Sequence, residues 1–497
     1  MWKLLIVFIF LLFHTCLLSQ TTRFNNTYDW NNSEASSNIF TNGNGYVVIG
    51  PAKDSTTGYS GIGFLFIDSI GIQIGKKTFG KISSSYLAPS AIRTVDNSFA
   101  VTCQFVDNSA NYDACLIKFN QNGDTIWTKV YSDTLVQAGV SCKQTIDGYI
   151  ICGRTENYVA GNTNGRYLLL KTDSNGNMQW KKAIGNSSYA DEGNFISIVN
   201  DGGFIFGGSS AGSVFIPSIF KTDSNGNVQW TRMINTNWDG IINCVQQTLD
   251  GGYLASGCIA DSGGGAVNYN KAFVVKLFPN GSIDWINKNY SENPKSLDTF
   301  TNFIELSDNS SVVVGTMMND TAVHYLDMDG VIYHISPSGS IIWKRRYDKT
   351  GGFNKADGFN YLTTTNDGGY IVCGSFAQPQ YDFWVVKVDS LGCDSAGCEF
   401  VGIEEKPAFE NPQSEIFVYP NPARDEIFVQ INNQKEDGKV IEFKMYDITG
   451  RIVFENHSFL KLHSEKFNVS EFNSGLYFYS ISDDNNFISR GKLIITH

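Results

Sequence analysis

Charge is scarce in this 497-residue chain, and positive charge is scarcest. Only 17% of residues are charged, with 37 Lys and Arg against 49 Asp and Glu. The net charge of −12 and a pI near 5.0 argue against a nucleic-acid partner or an anionic membrane surface, since both need a basic face. Histidine is rarer still, with six in all. None stands in HExxH or another metal spacing. Only His324 and His334 fall in the body of the chain, and they read as ordinary loop and strand residues. No CxxC or Cys/His set has zinc spacing, so no cofactor is expected from these residues. Long Ala/Leu/Glu/Lys stretches are missing, which weighs against helices. Beyond residue 19 no apolar run is long enough to cross a bilayer, so no transmembrane segment is expected in the mature chain.

What is present favours strands and tight turns: 42% hydrophobic residues, 13% aromatics and 48 Gly. Residues 1–19 read as a secretory signal peptide, with Lys3, the apolar run 4–13, and Ser19 before Gln20. Its removal leaves nine cysteines, an odd number. Cys393 and Cys398 flank a short Gly-containing loop and are the expected disulfide. Cys142/Cys152 and Cys244/Cys258 flank hairpin turns, and read either as pairs or as small buried strand residues. The pairing of Cys103, Cys115 and Cys373 is left open.

Most of the chain repeats itself. KTDSNGNMQW (171–180) returns fifty residues later as KTDSNGNVQW (221–230). One signature is a turn before an apolar run: DGYIICG (147–153), DGGFIFGG (201–208), DGGYLASG (250–257) and DGGYIVCG (367–374), with weaker forms at 44–50, 96–103 and 308–315. The other is a strand, a turn and usually a Trp, at Trp127, Trp180, Trp230, Trp285 and Trp343; copy one has Ile74 there, and copy seven stops short. Seven copies of about 50 residues, the complete ones with four short strands and Asp-Gly or Asn-Gly turns, predict an all-β, seven-bladed β-propeller over 20–395. Copy seven lacks a fourth strand. Residues 22–28 supply one, because Phe24 and Tyr28 repeat the spacing of Trp127 and Tyr131.

After a linker at 396–412, residues 413–497 start new patterning and predict a small Ig-like β-sandwich. YPNPARDEIFV, YDITGRIV, FNSGLYFYSI and the terminal GKLII resemble the type A C-terminal sorting domain of the bacterial type IX secretion system. The resemblance implies that this domain engages the type IX secretion machinery and carries the propeller across the outer membrane, to be anchored at the cell surface or released. Gly491, Lys492, Leu493 and Ile494 match the family's terminal motif and are the expected sorting signal.

Chemistry is sparse. Gly208-Ser209-Ser210-Ala211-Gly212 fits GxSxG, but no helix follows, so it reads as a Gly/Ser loop. Asp173, Asn175 and Asn177 echo a calcium loop, yet Gly176 comes too early and no Glu closes it; an Asx-bonded hairpin turn is the other reading. Glu34, Glu192, Asp239, Asp298 and Asp357 precede successive innermost strands. They either ring the channel mouth and hold a structural cation or bond between blades.

Strand order separates two faces. The DGGY and DSNG turns share one, short and uniform. Long, dissimilar loops share the other: 51–62, 104–113, 154–166, 209–218, 259–271, 316–330 and 375–382 within blades, with the links between blades. Function belongs on the variable face. It carries Tyr59, Tyr112, Tyr158, Tyr189, Trp238, Tyr269, Tyr325 and Tyr381, aromatics suited to a glycan or protein ligand, or to packing their own loops. Two functions follow: a non-enzymatic surface or secreted binding protein, or an extracellular carbohydrate-active enzyme with paired loop carboxylates.

Overall fold

The computed structural model describes residues 22–29, 36–53, 60–80, 84–107, 112–132, 136–159, 162–185, 191–211, 214–234, 239–262, 269–290, 296–318, 328–347, 357–377, 381–395, 416–431, 440–447, 451–459, 464–483 and 486–496. The chain divides into two compact units, Met1–Glu399 and Phe400–His497. Among the described residues every regular element is a β-strand. No helix there is long and apolar enough to cross a membrane. The proposed signal peptide and linker lie outside the described residues, as does Cys398.

The local units are the predicted hairpins. In the twin decapeptides, Asp173 Oδ1 accepts the N–H groups of Asn175 (2.9 Å) and Asn177 (2.8 Å), and Asp223 does the same for Asn225 and Asn227. These are Asx-bonded turns. They shape seven antiparallel sheets of four strands, spanning 38–79, 85–131, 136–184, 192–233, 240–287, 299–347 and 358–388. The last has only three strands of its own. Phe24–Tyr28 completes it, paired along Tyr381–Val388 from Phe24↔Lys387 to Tyr28↔Phe383.

A four-stranded sheet with two apolar faces cannot stand alone. Each sheet therefore packs on the next, and the first packs on the seventh, closing a seven-bladed propeller. The core lies in the seams. Seven apolar clusters occupy the seven junctions, and Phe24 and Tyr28 belong to the one between blades seven and one.

The outer rim is latched across each seam. Gly176 and Gly226 adopt φ +75°, and a Cβ there would meet the rings of Trp127 and Trp180 in the preceding blade at 2.8 and 2.7 Å. Tyr131, Tyr290 and Tyr347 donate their hydroxyls to Gly176, Gly339 and Gly392 carbonyls at 2.9, 2.9 and 2.5 Å. At closure Phe24 covers Gly71 as the Trp residues cover theirs, and Tyr28 donates to the Gly71 carbonyl at 2.6 Å.

A second recurrence escaped the sequence reading. In five blades the Asp of the first turn reaches the lysine of the third strand: Asp96–Lys118, Asp147–Lys171, Asp201–Lys221, Asp250–Lys276 and Asp367–Lys387, at 2.5–2.8 Å. Lys221 is buried, and its three N–H groups reach Asp201, the Thr222 carbonyl and Gln229. Partial burial works against ionisation of Asp96, Asp201, Asp250 and Asp367. The hydrogen bonds from lysine and turn outweigh it and hold each carboxyl below the usual range, Asp250 at about 2. For Asp147 the Lys171 bond is the leading cause. Depressed folded pKa values stabilise above the unfolded carboxylate pKa of ~3.9, and that stabilisation disappears as pH falls through the folded values. Denaturant midpoints are therefore expected to hold between pH 7 and about 4 and to fall toward about pH 2. A flat profile across that lower window contradicts the role given to these pairs.

The second unit is a sandwich of a three-stranded and a four-stranded sheet around Ile427, Val429, Phe443, Met445, Leu493 and Ile495. Its last strand, Asn486–Ile495, pairs with Gly475–Asp483. The Pro420-Asn421-Pro422 turn clasps that strand. Asn421 Oδ1 accepts the Ile494 N–H (2.9 Å), Asn421 Nδ2 donates to the Lys492 carbonyl (2.8 Å), and the Ala423 N–H donates to the Ile494 carbonyl (2.7 Å).

Candidate binding surface

On the loop face, the acids before the innermost strands turn to backbone. Asp298 Oδ1 accepts the Met318 N–H of its own blade (2.8 Å), while its N–H donates to the Asn270 carbonyl of the preceding one (2.9 Å). Asp357 repeats this with Ala377 and Met328. Asp239 accepts the Phe215 N–H of the preceding blade at 2.7 Å. Glu192 faces Arg154 at 3.9 Å, and Glu34 lies outside the described residues. Asp239 thus ties blade to blade through its carboxylate, and Asp298 and Asp357 do so through their backbone N–H groups; among the described residues no group of three or more acids, Cys or His is placed to hold a metal.

The innermost strands add a second set of stitches. Asn194 donates to the Ile242 carbonyl, Asn243 to Phe300, Thr301 to Phe359 and Asn360 to Ser36, each one blade onward. These bonds tie the innermost strands of neighbouring blades together, the kind of support a binding site needs.

Of the eight predicted aromatics, Tyr112 and Tyr381 are described in full, and both are exposed (37% and 39%). Tyr59, Tyr189, Trp238 and Tyr325 lie outside the described residues. Tyr158 and Tyr269 require a correction. The expected loop 154–166 is mostly strand: Gly148–Val159 and Asn162–Asp173 pair out to Val159↔Asn162, placing Tyr158 opposite Thr163. Tyr269 likewise opens a strand, opposite Ser262. Antiparallel pairing simply continues past the blade wherever both arms keep extended backbone.

The register exposes a pattern that loop reading missed. Tyr112, Phe215, Tyr269 and Tyr381 all open the third strand of their blades. Phe215 is 46% exposed. Its signal in the sequence was its offset of six residues from the lysine of its own strand, Lys221, which Tyr112 repeats before Lys118 and Tyr381 before Lys387. Tyr112 and Tyr381 are each followed by Asp. Asp113 accepts the Ser132 hydroxyl at 2.7 Å. Burial, and then the neighbouring Asp29 carboxylate, push Asp382 above the usual carboxylate range.

Other candidates resolve into scaffold. Ser209 and Ser210 lie on the strand Phe204–Ala211 rather than in a loop, and Ser210 Oγ is 3.1 Å from the Tyr167 hydroxyl. His334 meets Ser310 Oγ at 2.7 Å in the place other blades give the lysine, and burial lowers its pKa. His324 lies outside the described residues. Cys103, Cys115, Cys142, Cys152, Cys244, Cys258 and Cys373 are buried thiols. Burial pushes Cys142 and Cys373 up to about 12, which makes them unreactive. Cys393 is disulfide-bonded.

On the sorting unit, Leu493 is fully buried, Ile494 is 42% exposed, and Gly491 and Lys492 are half-buried. A Cβ at Gly491 would lie 2.5 Å from the Tyr479 hydroxyl, so a side chain there would have to displace that ring.

No curated protein matches the chain. Among solved structures, a protein of unknown function from Dyadobacter fermentans is 11% identical, with a TM-score of 0.41 over 62% of this chain and 96% of that one. Trypanosoma rangeli sialidase in complex with the inhibitor DANA is 8% identical, with a TM-score of 0.44 over 85% and 87%. The β-propeller domain of the Trilobed protease from Pyrococcus furiosus is 6% identical, with a TM-score of 0.40 over 72% and 95%. These are likenesses of fold. Residues 417–496 match the model of the secretion system C-terminal sorting domain. The chain therefore carries a type IX secretion C-terminal sorting domain behind a seven-bladed β-propeller, which implies export to the cell surface or beyond.

Proposed function

We propose that the propeller is a non-enzymatic glycan-binding module, delivered outside the cell by its sorting domain. One observation supports this most: exposed Tyr112, Phe215 and Tyr381 open the third strands of three blades at equivalent positions, on the loop face, two of them beside an Asp. Flat exposed rings stack on the apolar faces of sugars. The uniform face carries turns whose polar groups are engaged within and between blades. In the sorting domain, Lys492 and Ile494 are the members of the terminal motif turned most toward a partner, while Gly491 and Leu493 maintain the strand.

A glycan array probed with residues 20–395 is expected to give hits. Replacing both Tyr112 and Tyr381 by Ala should weaken the best of them at least about tenfold, as loss of central aromatic contacts does. An array without hits points to a protein ligand, and unchanged binding by the double variant removes the loop-face reading.

A further inference from the structure

Six of the seven seams place an aromatic ring at one register position, the first or second residue of the second strand of the following blade: Tyr46, Phe99, Tyr149, Phe204, Tyr253 and Tyr370. In five of them this ring packs on the preceding blade's outer aromatic. The pairs are Phe24–Tyr46, Trp127–Tyr149, Trp180–Phe204, Trp230–Tyr253 and Trp343–Tyr370, with centroids 5.4–6.5 Å apart. The seam between blades five and six departs from the rule. Its outer aromatic is Trp285, but the position beneath is Ser311. A cavity of about 230 Å³ is lined by both residues.

The space is partly open to solvent, and one with polar walls takes water or a ligand. The walls here are mixed. Trp285 and Leu254 are apolar, Ser311 and Lys276 are polar, and Asp250, Asp284 and Glu305 add three carboxylates. Lys276 engages Asp250 (2.7 Å) and Thr248 (2.5 Å), and an ammonium has a third N–H. Glu305 accepts the Leu249 N–H on one oxygen at 2.8 Å. The cavity is smaller than the ~300–1,000 Å³ of sites for drug-sized ligands, which limits the occupant to about one ring. Carboxylates that accept hydroxyls, an ammonium that donates and one aromatic wall together suit a hydroxyl-bearing ring. We propose that this cavity is a pyranose subsite, in which one sugar ring lies against Trp285 where the other seams place their own aromatic side chain. The turns 248–252 and 336–340 put it at the rim of the uniform face, so it does not rest on the loop-face reading.

The test uses the exported chain, residues 20–497, with free glucose, galactose, mannose and N-acetylglucosamine as probes, read by saturation-transfer NMR and tryptophan fluorescence. At least one hexose is expected to bind. Ser311→Tyr, which restores the ring of the other seams, should weaken it by about tenfold or more, with Tm unchanged or raised. Glu305→Gln keeps the shape of the wall and should also weaken binding, which covers the case of a poorly folding Ser311→Tyr. Repeated in the Tyr112→Ala/Tyr381→Ala background, which removes the loop-face rings, the losses caused by Ser311→Tyr and Glu305→Gln should persist, so failure here and failure of the loop face are told apart. No hexose binding by the wild type, equal binding by Ser311→Tyr and Glu305→Gln, or binding only of organic amines such as choline would each overturn the proposal.

Discussion

A chain lacking residues 20–28 is expected to lose about 10 °C or more of propeller Tm and to self-associate in a concentration-dependent way. The deletion removes the fourth strand of blade seven and two members of the last seam, Phe24 and Tyr28. Truncating a buried Phe alone costs about 3–5 kcal/mol. Lost with it are the Tyr28 bond to Gly71, the Asn25 acceptor of Trp384 Nε1 (2.8 Å), the Lys387 bond to the Thr22 carbonyl (2.6 Å) and the Arg23–Asp389 pair (2.6 Å). The exposed edge would be Tyr381–Val388, whose last six residues are buried in the intact ring. An apolar edge strand is a template for pairing with other chains. A synthetic peptide of residues 20–29 should restore Tm and the monomer. A truncated protein that stays monomeric with unchanged Tm would show that the ring closes without this strand.

Leu493→Ala is expected to abolish the folded sorting domain while leaving the propeller transition in place. Leu493 and Ile495 are fully buried at the centre of that small sandwich. A core Leu→Ala change costs about 2–5 kcal/mol, against total stabilities of about 5–15 kcal/mol and less for domains of this size. Calorimetry should show the sorting-domain transition lost and the propeller transition unmoved, and secretion should fail. Ile494→Ala, at an exposed position, should keep both transitions, so any loss of secretion there reports recognition rather than folding. Equal transitions in wild type and Leu493→Ala would contradict the placement of this strand in the core.

Blade number, the closing strand and the sorting domain were legible because repeats and alternation encode local structure. Trp127, Trp180 and Phe24 can be aligned by eye. What a strand end touches one blade away cannot. The Asp201–Lys221 pair recurs in five blades in plain sight, yet its meaning depends on the first turn lying over the third strand. The clasp of Asn421 on the last strand joins segments more than seventy residues apart. The candidate site was read less well for a related reason. Loops were judged by their content, whereas Tyr112, Phe215 and Tyr381 are equivalent only through register. The interest of Ser311 lies in the ring that six other seams have and this one lacks, which only the packing of neighbouring blades reveals.

The claim that the propeller captures glycans without cleaving them is tested most directly by incubating each array hit with residues 20–395 and analysing both bound and released sugar. Intact glycan retained on the protein, with retention lost on replacing Tyr112 and Tyr381, is the predicted result. Shortened products that accumulate with time, and stop on replacing loop carboxylates such as Asp382, would contradict it.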